Sequence, residues 1–71
     1  MYKLSKKLSN NIRKLRFEAD EMSQQILAEK VGVTRQTIIA IEKDKYSPSL
    51  EVAFKISNEF DVALETVFNY K

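Results

Sequence analysis

Arg35 and Gln36, followed one helical turn later by Ile39 and Ala40, are the residues whose types and spacing best match a definite chemistry. An arginine guanidinium can donate two hydrogen bonds at once to O6 and N7 of guanine, and a glutamine amide can pair with N6 and N7 of adenine. Apolar groups such as Ile39 and Ala40 can touch a thymine methyl. The missing residue types narrow the chemistry further. The chain has no cysteine and no histidine, which removes the commonest general base, the best nucleophile, and every thiolate or imidazole metal ligand. Only carboxylates remain as ligands, and adjacent acids such as Asp20 and Glu21 read as solvated surface. The expectation is a protein that is not an enzyme and holds no metal or cofactor.

The bulk numbers bound what can carry these side chains. Seventy-one residues make one domain, whose small core stabilises a fold only marginally. Disulfides are excluded, so tight helix packing or a second subunit must supply the rest. The formal net charge of +2 is uneven: residues 1–46 carry ten Lys or Arg against six acids, and residues 47–71 carry two against four. A basic front and an acidic back suit a protein that turns one face to a polyanion. The longest apolar run, Ile38 to Ile41, is far too short to span a membrane, and no signal-peptide pattern is present. The chain therefore reads as cytoplasmic, with no membrane partner and no small-molecule ligand.

With one glycine and one proline, the pattern is helical almost throughout. A first helix is predicted from about Asn10 to Ala19, capped by Ser9 or Asn10, with Ile12 and Leu15 inward and Leu8 extending it backwards by a turn. Asp20 to Met22 connect to a second helix that starts at Ser23, buries Leu27, Ala28 and Val31, and stops at Gly32. Thr34 caps a third helix, to about Lys43, anchored by Ile38 and Ile41, and Asp44 is expected to turn left-handed. Ser47-Pro48-Ser49 leads into a fourth helix, Ser49 to about Phe60, with Leu50, Ala53, Phe54, Ile56 and Phe60 as its apolar faces. A short fifth helix runs from about Ala63 to Phe68. Residues 1–9 form an N-terminal arm before the domain at 10–71. Tyr2 and Leu4 alternate with polar residues and could pair as a strand with Val67 to Tyr70.

Between the second and third helices five requirements of a tight helix-turn-helix coincide: small Ala28 at the crossing, Gly32 at the turn, Val33 tucked beneath it, and Ile38 and Ile41 as anchors three apart. The stretch SQQILAEKVGVTRQTIIAIEKDKYSPSLEVAFKI, with GVTRQTI, the following IE and KYSPSL, resembles the phage-repressor type of helix-turn-helix, the Cro/cI or Xre family, from about Asn11 to Phe68. The resemblance implies an all-α, five-helix bundle of the lambda-repressor-like type, with room for short terminal strands. It implies that the third helix reads bases through Arg35, Gln36, Ile39 and Ala40, while Gln24, Thr34, Thr37, Lys43, Lys45 and Tyr46 face the DNA backbone. Ile39 is outside if Ile38 and Ile41 face the core; the alternative is partial cover by a neighbouring element. The lesser alternative for Arg35 is an ordinary surface charge.

Glu42 meets the negative end of the helix dipole and needs a cation. The resemblance implies a structural ion pair with Arg16, with Arg13 as the alternative. Three features depart from the family pattern: the connection from Arg16 to Ser23 is one residue longer than is common, Ile26 is apolar where a polar residue is usual, and Ala63 replaces a polar cap. One recognition helix reads too few base pairs for selectivity, so a homodimer on a palindromic site is expected, with Leu64, Val67 and Tyr70 at its interface. The expected function is sequence-specific binding of double-stranded DNA as a transcriptional regulator, a repressor. The alternative is an antitoxin-type interaction module that also binds its own operator; the chain has no long tail for such a partner.

Overall fold

The computed structural model describes residues 7–71. The elements run β1 (Leu8–Asn10), α1 (Ile12–Glu18), α2 (Gln24–Val31), α3 (Arg35–Glu42), α4 (Leu50–Phe60), α5 (Leu64–Val67) and β2 (Phe68–Tyr70). Three helices start on a hydroxyl cap. Ser23 Oγ accepts from the Ile26 amide at 3.0 Å, Thr34 Oγ1 from Thr37 at 3.2 Å, and Ser49 Oγ from Val52 at 3.2 Å. The same three helices end alike. Gly32 (φ 78°), Asp44 (φ 60°) and Asp61 (φ 55°) turn left-handed. The next amide then reaches back five residues: Val33 to Ala28 O, Lys45 to Ala40 O and Val62 to Ser57 O, at 2.9–3.1 Å.

Of these three left-handed ends, Gly32 is the one whose residue type is free of strain. A Cβ there would meet no atom within 4 Å, so Gly32→Ala costs only the left-handed backbone, about 1 kcal/mol. For a domain of this size that lowers Tm by about 4–8 °C. An unchanged melting curve would show that the turn does not need this conformation.

The long connection after α1 is absorbed by two consecutive left-handed residues, Asp20 (φ 62°) and Glu21 (φ 56°). The Met22 amide closes it onto Arg16 O at 2.9 Å, six residues back where the ends of α2, α3 and α4 reach five. Two expectations at the start of the chain are corrected. Leu8 does not extend α1; it lies in β1, paired antiparallel with β2 in the register Leu8↔Tyr70, Ser9↔Asn69 and Asn10↔Phe68. The strand pairing pulls these residues away, and α1 begins at Ile12 after Asn11. Asn10 still serves the helix start, because its Oδ1 accepts from the Ile12 amide at 3.0 Å. Tyr2 and Leu4 lie outside the described residues, and the predicted boundary between residues 9 and 10 falls inside β1.

Ile12, Leu27, Ala28, Val31, Ile38, Ile41, Ile56 and Val67 form one buried cluster, flanked by Leu15, Met22, Val33, Val52, Phe60, Val62 and Phe68. All five helices described contribute, so the core fixes α2 against α3 and against α4. Two residues assigned to the apolar faces of α4 prove to be outside: Leu50 is 69% and Phe54 48% exposed. Ala53, Ile56 and Ser57 are the residues of α4 that turn inward. Ala63 begins α5 with no side-chain cap, and the helix is a single turn, shorter at both ends than predicted.

Candidate nucleic-acid interface

The inner side of α3 is fixed by Ile38 and Ile41, both buried in the core. A helix anchored this way carries Arg35 and Gln36 at its exposed start, and Ile39 and Ala40, half-buried, on the following turn. Ile39 is therefore partly covered while still bordering an open hollow. That hollow is lined by Arg13, Arg16, Ser23, Gln24, Arg35, Ile39, Glu42 and Lys43. Arg35 donates to no described residue, so its guanidinium remains available to an incoming acceptor.

The floor of the hollow is a closed hydrogen-bond network. Arg16 Nε donates to Glu42 Oε2 at 2.7 Å and Arg16 Nη2 to Glu42 Oε1 at 3.0 Å, a two-pronged pair. Gln24 Nε2 adds a third bond to Glu42 Oε1 at 3.1 Å. Arg16 Nη1 donates to Met22 O at 2.9 Å, which ties the long α1–α2 connection to the same group. One guanidinium thus joins α1, the connection and α3, and the glutamine joins α2. Arg13 is not the partner of Glu42.

The residues assigned to the DNA backbone do not form one cluster. Gln24 and Lys43 line the hollow with Arg35. Gln24 is held by Glu42 through one amide hydrogen and keeps a second. Thr34 and Thr37 lie on the first turn of α3, their hydroxyls 3.0 Å apart. Lys45 is exposed in the turn beyond α3, and Tyr46 lines a separate small hollow with Asn10, Asp44 and Pro48. Sequence reasoning named Asn10 as a cap of α1 but missed its second role. Its Nδ2 donates to Ile41 O at 2.9 Å and to Asp44 Oδ1 at 3.0 Å, so it pins the C-terminal end of α3 to the terminal strands. A contact between residues 31 and 34 apart leaves no local signal.

The dimer assignment needs one correction. Val67 is fully buried in the monomer core and cannot reach a second subunit. Leu64 is half-buried in an apolar groove with Leu8, Pro48, Leu50, Ala53 and Phe68, and Tyr70 is exposed on β2. Ile26, the apolar departure in α2, is 46% exposed. Among the described residues no helix is long and apolar enough to cross a membrane.

Two helices crossing on a small alanine, a left-handed glycine turn and an outward-facing edge on the second helix define a helix-turn-helix. Family comparison agrees: the helix-turn-helix family model matches residues 12–67, and the chain belongs to that family, of the Cro/cI type. The family comprises transcriptional regulators rather than enzymes. The chain is 58% identical over 50 residues to the uncharacterised HTH-type transcriptional regulator MJ0272 of Methanocaldococcus jannaschii, covering 70% of this chain and 76% of that one. It is 48% identical over 61 residues to the uncharacterised regulator YgzD of Bacillus subtilis, covering 86% and 91%. A crystal structure of a Bacteroides fragilis protein ascribed DNA binding superposes with a TM-score of 0.76 at 26% identity, covering 87% of this chain and 98% of that one.

Proposed function

We propose that this protein represses transcription by binding a palindromic operator in double-stranded DNA as a homodimer in the cytoplasm, with α3 in the major groove. The observation that carries the reading is the division of α3 into two sides. Ile38 and Ile41 hold it rigidly from below, while Arg35, Gln36, Ile39 and Ala40 occupy the outer edge. Two polar groups at the start of the helix and two apolar groups one turn on are types that base edges can match. The names of the relatives support regulation of transcription, and the solved neighbour supports DNA as the ligand. Thr34, Thr37, Gln24, Lys43, Lys45 and Tyr46 would contact phosphates that set register without reading sequence.

The second subunit would sit on the groove lined by Leu8, Pro48, Leu50, Ala53, Leu64 and Phe68, with Tyr70 at its margin. A helix reading one half-site meets few base pairs, and twofold pairing doubles the reading at a spacing of about 34 Å. Selection of bound sequences from a random duplex pool tests the whole reading: inverted half-sites one helical turn apart are expected, and recovery of no sequence preference would overturn it. Sedimentation tests the groove. Leu50→Glu is expected to shift the protein to a monomer, because leucine there is exposed and a charge would be buried on pairing. A wild-type protein that stays monomeric at high concentration, with and without the selected duplex, would remove the dimer.

A further inference from the structure

The open hollow beside α3 holds more positive charge than the helix-turn-helix itself supplies. Of the charged residues that line it, four are cations, Arg13, Arg16, Arg35 and Lys43, and one is an acid, Glu42. Glu42 is already engaged by Arg16 and Gln24 through three hydrogen bonds. Arg13, Arg35 and Lys43 are therefore left as like charges around one concavity, whose one lining acid is already engaged by Arg16 and Gln24. Clustered cations repel one another in the free protein, and the arrangement becomes favourable when a polyanion enters.

Arg13 is the unexplained member. It belongs to α1, outside the helix-turn-helix, and has no hydrogen bond or ion pair among the described residues. Its position on the helix accounts for this. Ile12 faces the core, and Arg16, one turn on, is drawn inward to Glu42. Arg13 instead lies exposed over the rim, lining the hollow beside α3 and two further hollows that it shares with Phe17. Lys14 continues the basic surface along the same rim.

We propose that Arg13 is a further DNA-binding residue: from α1, it holds a backbone phosphate at the edge of the groove that α3 enters. The inference rests on the reading of α3 as the DNA-contacting helix. A phosphate is the fitting acceptor because Arg13 borders the same hollow as Arg35 but belongs to α1, not to the outer edge of α3 that carries the reading residues. Its contact adds affinity without choosing a sequence.

The test compares wild type, Arg13→Ala, Arg13→Lys and Arg35→Ala on two probes: the duplex selected by the wild-type protein and a mixed-sequence 20-bp duplex. For Arg13→Ala, affinity falls about fivefold on both probes at 0.15 M salt, and the slope of log K against log salt shrinks by about 0.9. Arg13→Lys keeps the slope, and the melting temperature of both variants matches wild type. Unchanged affinity and slope in Arg13→Ala would overturn the proposal, as would a loss confined to the selected duplex or one accompanied by a lowered melting temperature. If wild type itself binds neither duplex, it is the reading of α3 that fails. If wild type binds and only Arg35→Ala is impaired, that reading stands and the role of Arg13 falls.

Discussion

Replacing Arg16 with alanine is expected to destabilise the domain by about 3 kcal/mol, because it leaves a carboxylate stranded. The Glu42 side chain is 8% exposed and that of Arg16 is 14% exposed, so neither charge is well solvated. Without Arg16, Glu42 keeps only the Gln24 amide, at the end of α3 where the helix dipole is already negative. The α1–α2 connection also loses its tie to Met22 O. Removing one partner of a buried pair typically costs about 3–5 kcal/mol, and the shallow position of this pair favours the lower figure. A chain of this length has a total stability of about 4–10 kcal/mol, so the loss is a large part of it, a fall in Tm of about 12–24 °C. Glu42→Ala should cost less, because the guanidinium keeps Met22 O and can reach water. The double variant should cost less than the sum of the two. Strict additivity in that cycle, or an Arg16→Ala melting curve within a degree or two of wild type, would show that the pair does not hold α1 to α3.

This pair also shows how far the sequence could be read. Glu42 at a helix C-terminus demands a cation, but Arg13 and Arg16 lie one turn apart and both are plausible from spacing. Only the closed path through Met22 O and Gln24 separates them, and that path depends on a left-handed pair at Asp20 and Glu21 for which no glycine gives notice. Helix ends were legible where a hydroxyl cap or a lone glycine marks them: Ser23, Thr34, Ser49 and Gly32. β1 was not, because Leu-Ser-Asn has little strand propensity and becomes a strand by pairing with residues sixty positions away. The helix carrying Leu50, Val52, Ala53, Phe54, Ile56 and Phe60 is apolar on more than one side, so its pattern could not say which side is buried. Val67 was misplaced for the same reason: an apolar residue in a one-turn helix has no periodicity to orient it.

Arg35→Ala should leave stability untouched and reduce affinity for the selected duplex by about 5- to 150-fold, the effect of about 1–3 kcal/mol for a two-pronged contact to guanine. The two parts of this expectation have separate structural grounds. Stability is unaffected because Arg35 is exposed and bonded to no described residue, while the start of α3 is held by Thr34, whose Oγ1 accepts from the Thr37 amide at 3.2 Å. Affinity falls because the helix that carries Arg35 cannot shift to compensate: Ile38 and Ile41 are locked in the core and Asn10 pins the far end through Ile41 O. Arg35→Lys separates charge from shape. Lysine keeps the positive charge but not the planar fork, so it should retain binding to the mixed-sequence duplex and lose preference on the selected one. Repeating the pool selection with Arg35→Ala should relax the preference at one position of each half-site and leave the rest intact. If the alanine variant selects the same sequence as wild type at every position, Arg35 is a surface charge, and the reading edge of α3 begins at Gln36.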